Sequence, residues 1–186
     1  YCESELVDYT AGGATNYEFF VNGVSQGAPS PLNTINSSGF PITTFPLEVV
    51  GETSNCYDTT TVNITINSNP VAGLSNSATN NTICQGESVT YTASGGNVYQ
   101  YFVNGSSQGA PTVSNNLTLS TLFDGDVISV VAYSAQGCTD TTEMLPLTVN
   151  PAPATTLVSS DPNNEICIGD NVDFTASGAT EYEFFI

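Results

Sequence analysis

The stretch YFVNGSSQGAP at residues 101–111 decides the fold class, because nearly the same stretch, FFVNGVSQGAP, occurs at residues 19–29. Nine of the eleven positions are identical. Each copy places an Asn-Gly pair directly after a run of apolar, strand-forming residues, at Asn22-Gly23 and Asn104-Gly105. An Asn-Gly pair in that setting is the strongest short signal for a two-residue type I′ hairpin. The chain therefore predicts one β-hairpin that occurs in two copies.

The repeat extends well beyond this hairpin. Residues 2–56 align without a gap with residues 84–138, and CIGDNVDFTASGATEYEFFI, which starts at Cys167, begins a third copy. A period of about 82 residues is the size of a small domain rather than of a solenoid unit. We therefore expect tandem domains. The predicted divisions are 1–68, without a first strand, 69–150, a complete copy, and 151–186, which ends within its copy.

Within each copy the hydrophobic pattern has a period of two. Apolar and polar residues alternate in VTYTAS (89–94), and the next strand, VYQYFV (98–103), places Tyr99, Tyr101 and Val103 on one face. The other copies repeat the pattern. This alternation is typical of half-buried strands, and no helical period of useful length occurs. About seven short strands per copy, separated by frequent turns, predict an all-β chain of immunoglobulin-like β-sandwiches.

Three details distinguish this pattern from an antibody domain. No Trp is present, and Tyr101 and Phe19 occupy the position expected for the core Trp. The second cysteine of each copy follows a turn, at Asn55 or Gly137, so a bond there would tie one end of the sandwich. Pro46 lies inside FPLEVV, which predicts an edge strand or a bulge.

The cysteines keep the register of the repeat. Cys2 precedes Cys56 by the same interval by which Cys84 precedes Cys138. Equal spacing inside aligned copies predicts one disulfide per repeat, Cys2–Cys56 and Cys84–Cys138, with Cys167 awaiting a partner beyond residue 186. Buried free thiols are the alternative, and the lack of His and of a CxxC pattern disfavours a metal site. Disulfides indicate an extracellular protein.

The charge is one-sided. The chain has 18 Asp and Glu and no Lys, Arg or His, which gives a formal net charge of −18. Nucleic acid and anionic membrane surfaces would be repelled, and the sequence lacks the apolar run needed to insert in a membrane.

No Ser has an ordinary base beside it and the thiols are committed to disulfides, so we expect no enzymatic activity.

Three motifs carry a family resemblance: ICQGESVTYTASGG (83–96), YQYFVNG (99–105) and QGCTDTT (136–142). They resemble the PKD-like and Ig-like repeats of giant Bacteroidetes surface proteins, including gliding-motility adhesins of the SprB kind that the type IX secretion system exports. The resemblance covers all three copies. It implies a cell-surface filament or adhesin stalk, whose partners are neighbouring repeats, surface glycans or other filament strands.

The same resemblance implies O-glycosylation, because the acceptor pattern of that phylum begins with Asp followed by Ser or Thr. Asp58-Thr59-Thr60 and Asp140-Thr141-Thr142 fit it at equivalent places, which makes Thr59 and Thr141 the candidate acceptors. The alternative is that these threonines are simply good strand formers.

No cofactor is expected, and calcium is the one candidate, since carboxylate oxygens suit it. Asp124 and Asp126 flank a glycine, and Asp161 and Glu165 enclose Asn163 and Asn164. The alternatives are a polar turn and diffuse counterion screening.

One set of aromatic residues falls on the strand face opposite the expected core. The set comprises Phe20, Phe102 and Phe185. Such residues would suit a glycan surface, and the alternative is that cross-strand neighbours half-cover them.

Overall fold

The computed structural model describes residues 1–163 and 165–185, and this part of the chain is almost entirely β. The strands of repeat one are β1 (Asp8–Thr10), β2 (Asn16–Val21), β3 (Val24–Ser25), β4 (Thr34–Asn36), β5 (Thr44–Thr53) and β6 (Cys56–Thr65). Those of repeat two are β7 (Gly73–Asn76), β8 (Thr82–Cys84), β9 (Val89–Ser94), β10 (Val98–Val103), β11 (Ser106–Ser107), β12 (Asn116–Leu119), β13 (Ile128–Tyr133), β14 (Thr139–Glu143) and β15 (Thr148–Asn150). Repeat three contributes β16 (Thr156–Ser159) and β17 (Phe174–Ser177). Among the described residues the helical structure is a single 3₁₀ turn at Thr79–Asn81, and no helix is long and apolar enough to cross a membrane.

Repeat two shows the expected immunoglobulin-like sandwich. One sheet has the order β11-β10-β13-β14 and the other the order β12-β9-β7, with every neighbouring pair antiparallel. A short parallel pair, β15 with β8, closes one side, where Asn150 lies opposite Cys84. The all-β immunoglobulin-like fold class is therefore confirmed.

Repeat one keeps the larger sheet and reduces the smaller one. Its sheet β3-β2-β5-β6 matches that of repeat two, whereas the facing sheet consists of β1 and β4 only. Cys2 forms a parallel bridge to Asn67, which is the counterpart of the β15–β8 pair. In repeat three, β16 pairs with β17 as β7 pairs with β9.

Period-two alternation places the core where the sequence predicts it. Tyr17, Phe19 and Val21 are buried along β2, and Tyr99 and Tyr101 are buried along β10. Each hydrophobic cluster draws its residues from one repeat. The predicted type I′ hairpins are also confirmed, since both central residues of each have positive φ. These angles are 49° and 79° at Asn22-Gly23 and 50° and 77° at Asn104-Gly105.

The prediction for Pro46 is wrong, because β5 is a central strand without a bulge at this point. The strand tolerates proline for a local reason. Asn22 N donates to Pro46 O over 2.9 Å, one residue beyond the end of β2. The N–H and C=O of a strand residue point to the same side, so the missing N–H faces the hairpin turn and no ladder bond is lost.

The gapless alignment of the two copies slips by one residue in the central strand. Val21 pairs with Leu47 in repeat one, and the alignment makes Val103 the counterpart of Val21 and Ser129 that of Leu47. Val103 nevertheless pairs with Ile128, one position earlier. The hairpin before Cys138 is longer than the one before Cys56, which brings the two copies back into the gapless alignment. The slip makes Gly51 the counterpart of Ala132, while Ala14 remains the counterpart of Gly96.

These four residues show a complementary exchange of size. A Cβ added at Gly51 would lie 2.9 Å from Ala14 Cβ, and one added at Gly96 would lie 3.0 Å from Ala132 Cβ. Each repeat therefore has room for one methyl group at this contact. Repeat one carries it on the turn before β2, and repeat two carries it on β13.

We expect Gly51→Ala to lower the free energy of unfolding of repeat one by about 1–3 kcal/mol, because a second methyl overpacks the contact. Adding Ala14→Gly should restore most of that loss, since the pair then has the arrangement of repeat two. Denaturant unfolding of the wild type, both single variants and the double variant measures the coupling. Strictly additive effects would contradict this account of the contact.

Candidate functional site

The junction between repeats one and two is held by a disulfide, and it is the candidate functional site. Cys2 is bonded to Cys138 across a sequence separation of 136 residues, with a Cα–Cα distance of 5.5 Å. Cys2 precedes the first strand of repeat one, and Cys138 lies in the β13–β14 hairpin of repeat two. The bond therefore joins two consecutive repeats. Among the described residues Cys56, Cys84 and Cys167 are free and exposed.

The predicted pairs Cys2–Cys56 and Cys84–Cys138 are therefore wrong, and the topology explains why. In repeat two, Cys84 precedes the start of β9, whereas the hairpin with Cys138 is next to Val98, beyond the end of β9. A strand of the length of β9 spans about 20 Å at about 3.3 Å per residue. A disulfide requires Cα atoms within about 7 Å. The two cysteines of one repeat thus lie at opposite ends of its sandwich.

The first cysteine of each repeat is presented by the same local turn. Cys2 N donates to Glu5 Oε2 over 2.8 Å, and Cys84 N donates to Glu87 Oε2 over the same distance. In the third copy Cys167 N donates to Asp170 Oδ2 over 3.1 Å. A carboxylate three residues after the cysteine therefore satisfies the cysteine N–H and fixes the turn. The sequence carries this signal as CESE, CQGE and CIGD, and the spacing of the cysteines alone does not reveal it.

The second cysteine of each repeat sits at a hairpin turn. Cys138 is 1% exposed, and its N–H donates to Ser134 Oγ over 3.1 Å. Its sulfur lies 4.0 Å from Asn67 O, on the segment that leads out of repeat one. Cys56 holds the equivalent position in repeat one and is exposed. Asn55, with φ 65°, turns the chain just before it, as Gly137 does before Cys138.

A carboxylate also fixes the Cys56 hairpin. Glu52 accepts hydrogen bonds from Asn55 N and from Asn16 Nδ2, each over 2.7 Å. The Asn16 side-chain bond, and secondarily the Asn55 N–H, lower the pKa of Glu52 below its ordinary value. Glu52 is therefore ionised at neutral pH and holds the hairpin in place.

Repeat one also contains an open groove, whose cavity volume is about 730 Å³. Its walls come from β1, β2, β5 and β6, and they include Tyr9, Phe19, Val49 and Asp58. The corresponding space in repeat two is filled by β7 and the residues before it. Leu74 and Ala72 of that segment pack against the core of repeat two. The groove is thus the place that a first strand occupies in the complete copy.

Two polar and steric details support this equivalence. In repeat two, Ala72 N donates to Asp140 Oδ2 over 2.8 Å, which ties the first strand to β14. Asp58 is the counterpart of Asp140 and lines the groove. A Cβ at Gly95 would overlap the Val71 carbonyl oxygen, whereas its counterpart Gly13 has open space around it. Repeat one therefore retains the residues that receive a first strand.

Two tyrosines in the core of repeat two differ in how their hydroxyls are satisfied. Tyr91 is 1% exposed, and its hydroxyl has no hydrogen-bond partner. The Tyr101 hydroxyl accepts from Ala93 N over 3.1 Å and donates to Asn115 O over 2.5 Å. Burial raises the pKa of both tyrosines, and the negative charge of Asp126 adds to the rise of the Tyr91 pKa.

We expect Tyr91→Phe to stabilise repeat two by about 1 kcal/mol and Tyr101→Phe to destabilise it by about 1 kcal/mol, because only the Tyr101 hydroxyl makes hydrogen bonds that the substitution removes. The loss stays modest because Ala93 N and Asn115 O remain bonded to each other over 2.8 Å. The raised pKa also means that the folded state keeps a phenolic proton that the unfolded state loses above pH about 10. Stability should therefore fall as the pH rises above that value, and less steeply in Tyr91→Phe. Denaturant titrations from pH 7 to 11 measure both effects. Equal effects of the two substitutions would contradict the assignment.

The calcium candidates do not converge. Among the described residues no group of three or more His, Cys, Asp or Glu side chains is placed to hold a metal ion. Asp126 accepts from Asn104 Nδ2 and from Phe123 N, and Asp124 accepts from Val149 N over 2.9 Å. Through these hydrogen bonds the two carboxylates hold the turn before β13 in place. Calcium binding by this pair remains an untested prediction.

The second calcium candidate lies at the start of repeat three. Asp161 Oδ1 accepts from Asn163 N over 3.0 Å and from Glu165 N over 3.2 Å, and Asn164 lies outside the described residues. The Asp161 carboxylate thus stabilises its own turn. The structure does not bring it together with the Asp124–Asp126 pair.

The predicted surface sites are accessible to different degrees. Thr59 and Thr141 are exposed, so both acceptor positions face solvent, and their glycosylation stays a prediction. Phe20 and Phe102 are half-buried, with Ser25 and Ser107 as cross-strand neighbours. Phe185 is 84% exposed. Of these three aromatics, Phe185 is the one largely open to solvent.

Comparison with known proteins adds fold similarity only. No protein-family model and no curated protein matches this chain. Among solved structures, the fibronectin(III)-like modules of Clostridium thermocellum CbhA are 13% identical over 80% of this chain and 88% of theirs, with a TM-score of 0.45. A Ca²⁺-stabilised, ice-binding adhesin of an Antarctic bacterium is 16% identical over 82% of this chain and 46% of its own, with a TM-score of 0.40. A 1.5-MDa bacterial ice-binding adhesin is 14% identical over 83% of this chain and 61% of its own, with a TM-score of 0.38. All these TM-scores lie below 0.5, so the likeness says nothing about what this chain does.

Proposed function

We propose that this chain is a structural segment of an extracellular surface filament or adhesin stalk, exported to the cell surface and used in attachment or gliding. The observation that carries the proposal is the Cys2–Cys138 bond, because it links consecutive repeats rather than stapling one. Independent binding modules need no covalent bond between them. A rod that must keep its repeats in a fixed succession benefits from one.

The surface chemistry supports the same role. With 18 carboxylates and no cationic side chain, neighbouring rods repel one another at low salt. The edge strand β6 illustrates the need, since nearly all of its residues are exposed. Such an edge pairs readily with other strands unless charge or covering prevents it. An anionic, cation-free surface keeps these edges apart.

Electron microscopy of tandem copies of residues 70–152 tests the proposal. Five copies should form a rod about 200 Å long. Each sandwich is about twelve strand residues long, which makes about 40 Å at about 3.3 Å per residue. Reduction with dithiothreitol should make the rods bend more without unfolding the individual sandwiches. Compact particles under oxidising conditions would count against a filament segment.

The competing function is a glycan-binding or polymer-binding module. A glycan array probed with the whole chain and with Phe102→Ala distinguishes the two. We expect no reproducible binding by either protein, because Phe20 and Phe102 are half-buried. Binding that is lost in Phe102→Ala would replace the filament proposal with the binding-module function.

A further inference from the structure

We propose that the bonds between repeats overlap along the array. In this arrangement Cys84 forms a disulfide with the second cysteine of the repeat that follows its own, and Cys56 forms one with the first cysteine of the repeat before. The inference rests on the proposed function in one respect, since it requires repeats on both sides. It makes the three exposed thiols attachment sites of a continuous covalent scaffold.

The surroundings of Cys84 reproduce those of the bonded Cys2. Cys84 lies opposite Asn150 in a parallel pair, as Cys2 lies opposite Asn67. Gln85 N donates to Asn150 O over 2.8 Å, and Glu3 N donates to Asn67 O over 2.9 Å. The same capped turn therefore presents Cys84 beside the segment that leaves repeat two.

The path of the chain into repeat three also matches its path into repeat two. A Cβ at Gly178 would overlap the Ala154 carbonyl oxygen, as one at Gly95 would overlap that of Val71. Both glycines have φ near 90°. The entering segment thus crosses the same point of each repeat. Hairpin geometry then brings the second cysteine of repeat three to Cys84, as it brings Cys138 to Cys2.

Pairing among the three remaining thiols of this chain does not compete. Cys56 lies at the hairpin end of repeat one. Cys84 lies at the end of repeat two that is opposite its own Cys138 hairpin. Cys167 is the first cysteine of repeat three and has the same capped turn as Cys84. Each thiol is therefore directed toward the neighbouring repeat along the array.

The bond forms by thiol–disulfide exchange. A small-molecule disulfide oxidant, such as oxidised glutathione, is attacked by one protein thiolate and releases one reduced thiol. The second protein thiolate then attacks the mixed disulfide, which forms the protein bond and releases the second reduced thiol. Two electrons and two protons pass from the protein to the oxidant.

The test completes repeat three with residues of repeat two. A copy of residues 104–150 is fused after Ile186, which is equivalent to Val103, so that the appended segment carries a copy of Cys138. The fused protein is oxidised with a glutathione buffer and digested without reduction by an enzyme that cleaves after Glu. We expect one peptide that joins Cys84 to the appended cysteine and another that joins Cys2 to Cys138. Alkylation should label Cys56 and Cys167 and fail to label Cys84.

The matched control is Cys84→Ser in the same fusion, which should leave the appended cysteine fully labelled. A Cys167 bond to the appended cysteine, or full labelling of Cys84, would overturn the proposal. To exclude a failure of repeat three to fold, a second protein joins residues 1–152 to a complete copy of residues 70–150. The expected bond there runs from the original Cys84 to the copied Cys138. Rods in the microscope without this bond would refute the overlap and leave the filament function standing.

Discussion

Pulling the oxidised chain from residues 1 and 186 is expected to release about 460 Å less extended chain than pulling the reduced chain, at about 3.4 Å per residue. The Cys2–Cys138 bond spans a sequence separation of 136 residues and carries tension directly from the start of repeat one to the last hairpin of repeat two. Repeat one and most of repeat two then bear no load. Only residues 1–2 and 138–186 are stretched.

Single-molecule force spectroscopy with and without dithiothreitol measures this difference. The measurement separates the observed bond from two bonds within repeats, because those together would shorten the released chain by only about 370 Å at about 3.4 Å per residue. The control variant replaces Cys56, Cys84 and Cys167 with serine and should behave as the oxidised wild type. Cys2→Ser should behave as the reduced chain in either buffer.

The consequence for a filament concerns its length under load. Unfolding an ordinary tandem repeat lengthens the chain by the full contour of each domain. Here a sandwich inside the disulfide loop can lose its fold without lengthening the path between the ends. The bond also closes a loop of about 137 residues, which destabilises the unfolded chain by about 5 kcal/mol on the chain-entropy model.

Local signals in the sequence predict the fold well, because each is decided by neighbouring residues. The Asn-Gly hairpins and the buried faces of β2 and β10 depend on turn chemistry and on period-two alternation. Pro46 shows the limit of such local reasoning. Whether a proline interrupts a ladder depends on where the partner strand ends, and Asn22 marks that end only once β2 and β5 are paired.

The disulfide pairing could not be read from spacing. In a tandem array, a bond within a repeat and a bond to the next repeat leave the same spacing between the two cysteines of each copy. The sequence did contain a geometric signal. The strand predicted at 89–94 lies between Cys84 and the turn beside the Cys138 hairpin, and one strand length already exceeds the reach of a disulfide.

The groove of repeat one leads to the second large effect. We expect a copy of residues 69–82 fused before Tyr1, which is equivalent to Ile83, to stabilise repeat one by about 1–2 kcal/mol, because the copied Leu74 becomes partly buried against its core, as Leu74 is in repeat two. The copied Ala72 N–H should donate to Asp58, as Ala72 N donates to Asp140 in repeat two. Thermal unfolding of the extended and the original chain measures the change.

Two variants make that experiment specific. Leu74→Asp within the added copy should abolish the gain, since a carboxylate cannot be buried in a groove lined by Tyr9, Phe19 and Val49. Asp58→Ala should cost about 1 kcal/mol in the extended chain, because it leaves a part-buried N–H unpaired, and almost nothing in the original chain. That difference isolates the strand contact from any general effect of a longer chain. Equal stabilisation by the Leu74→Asp extension would show that the groove does not receive a strand.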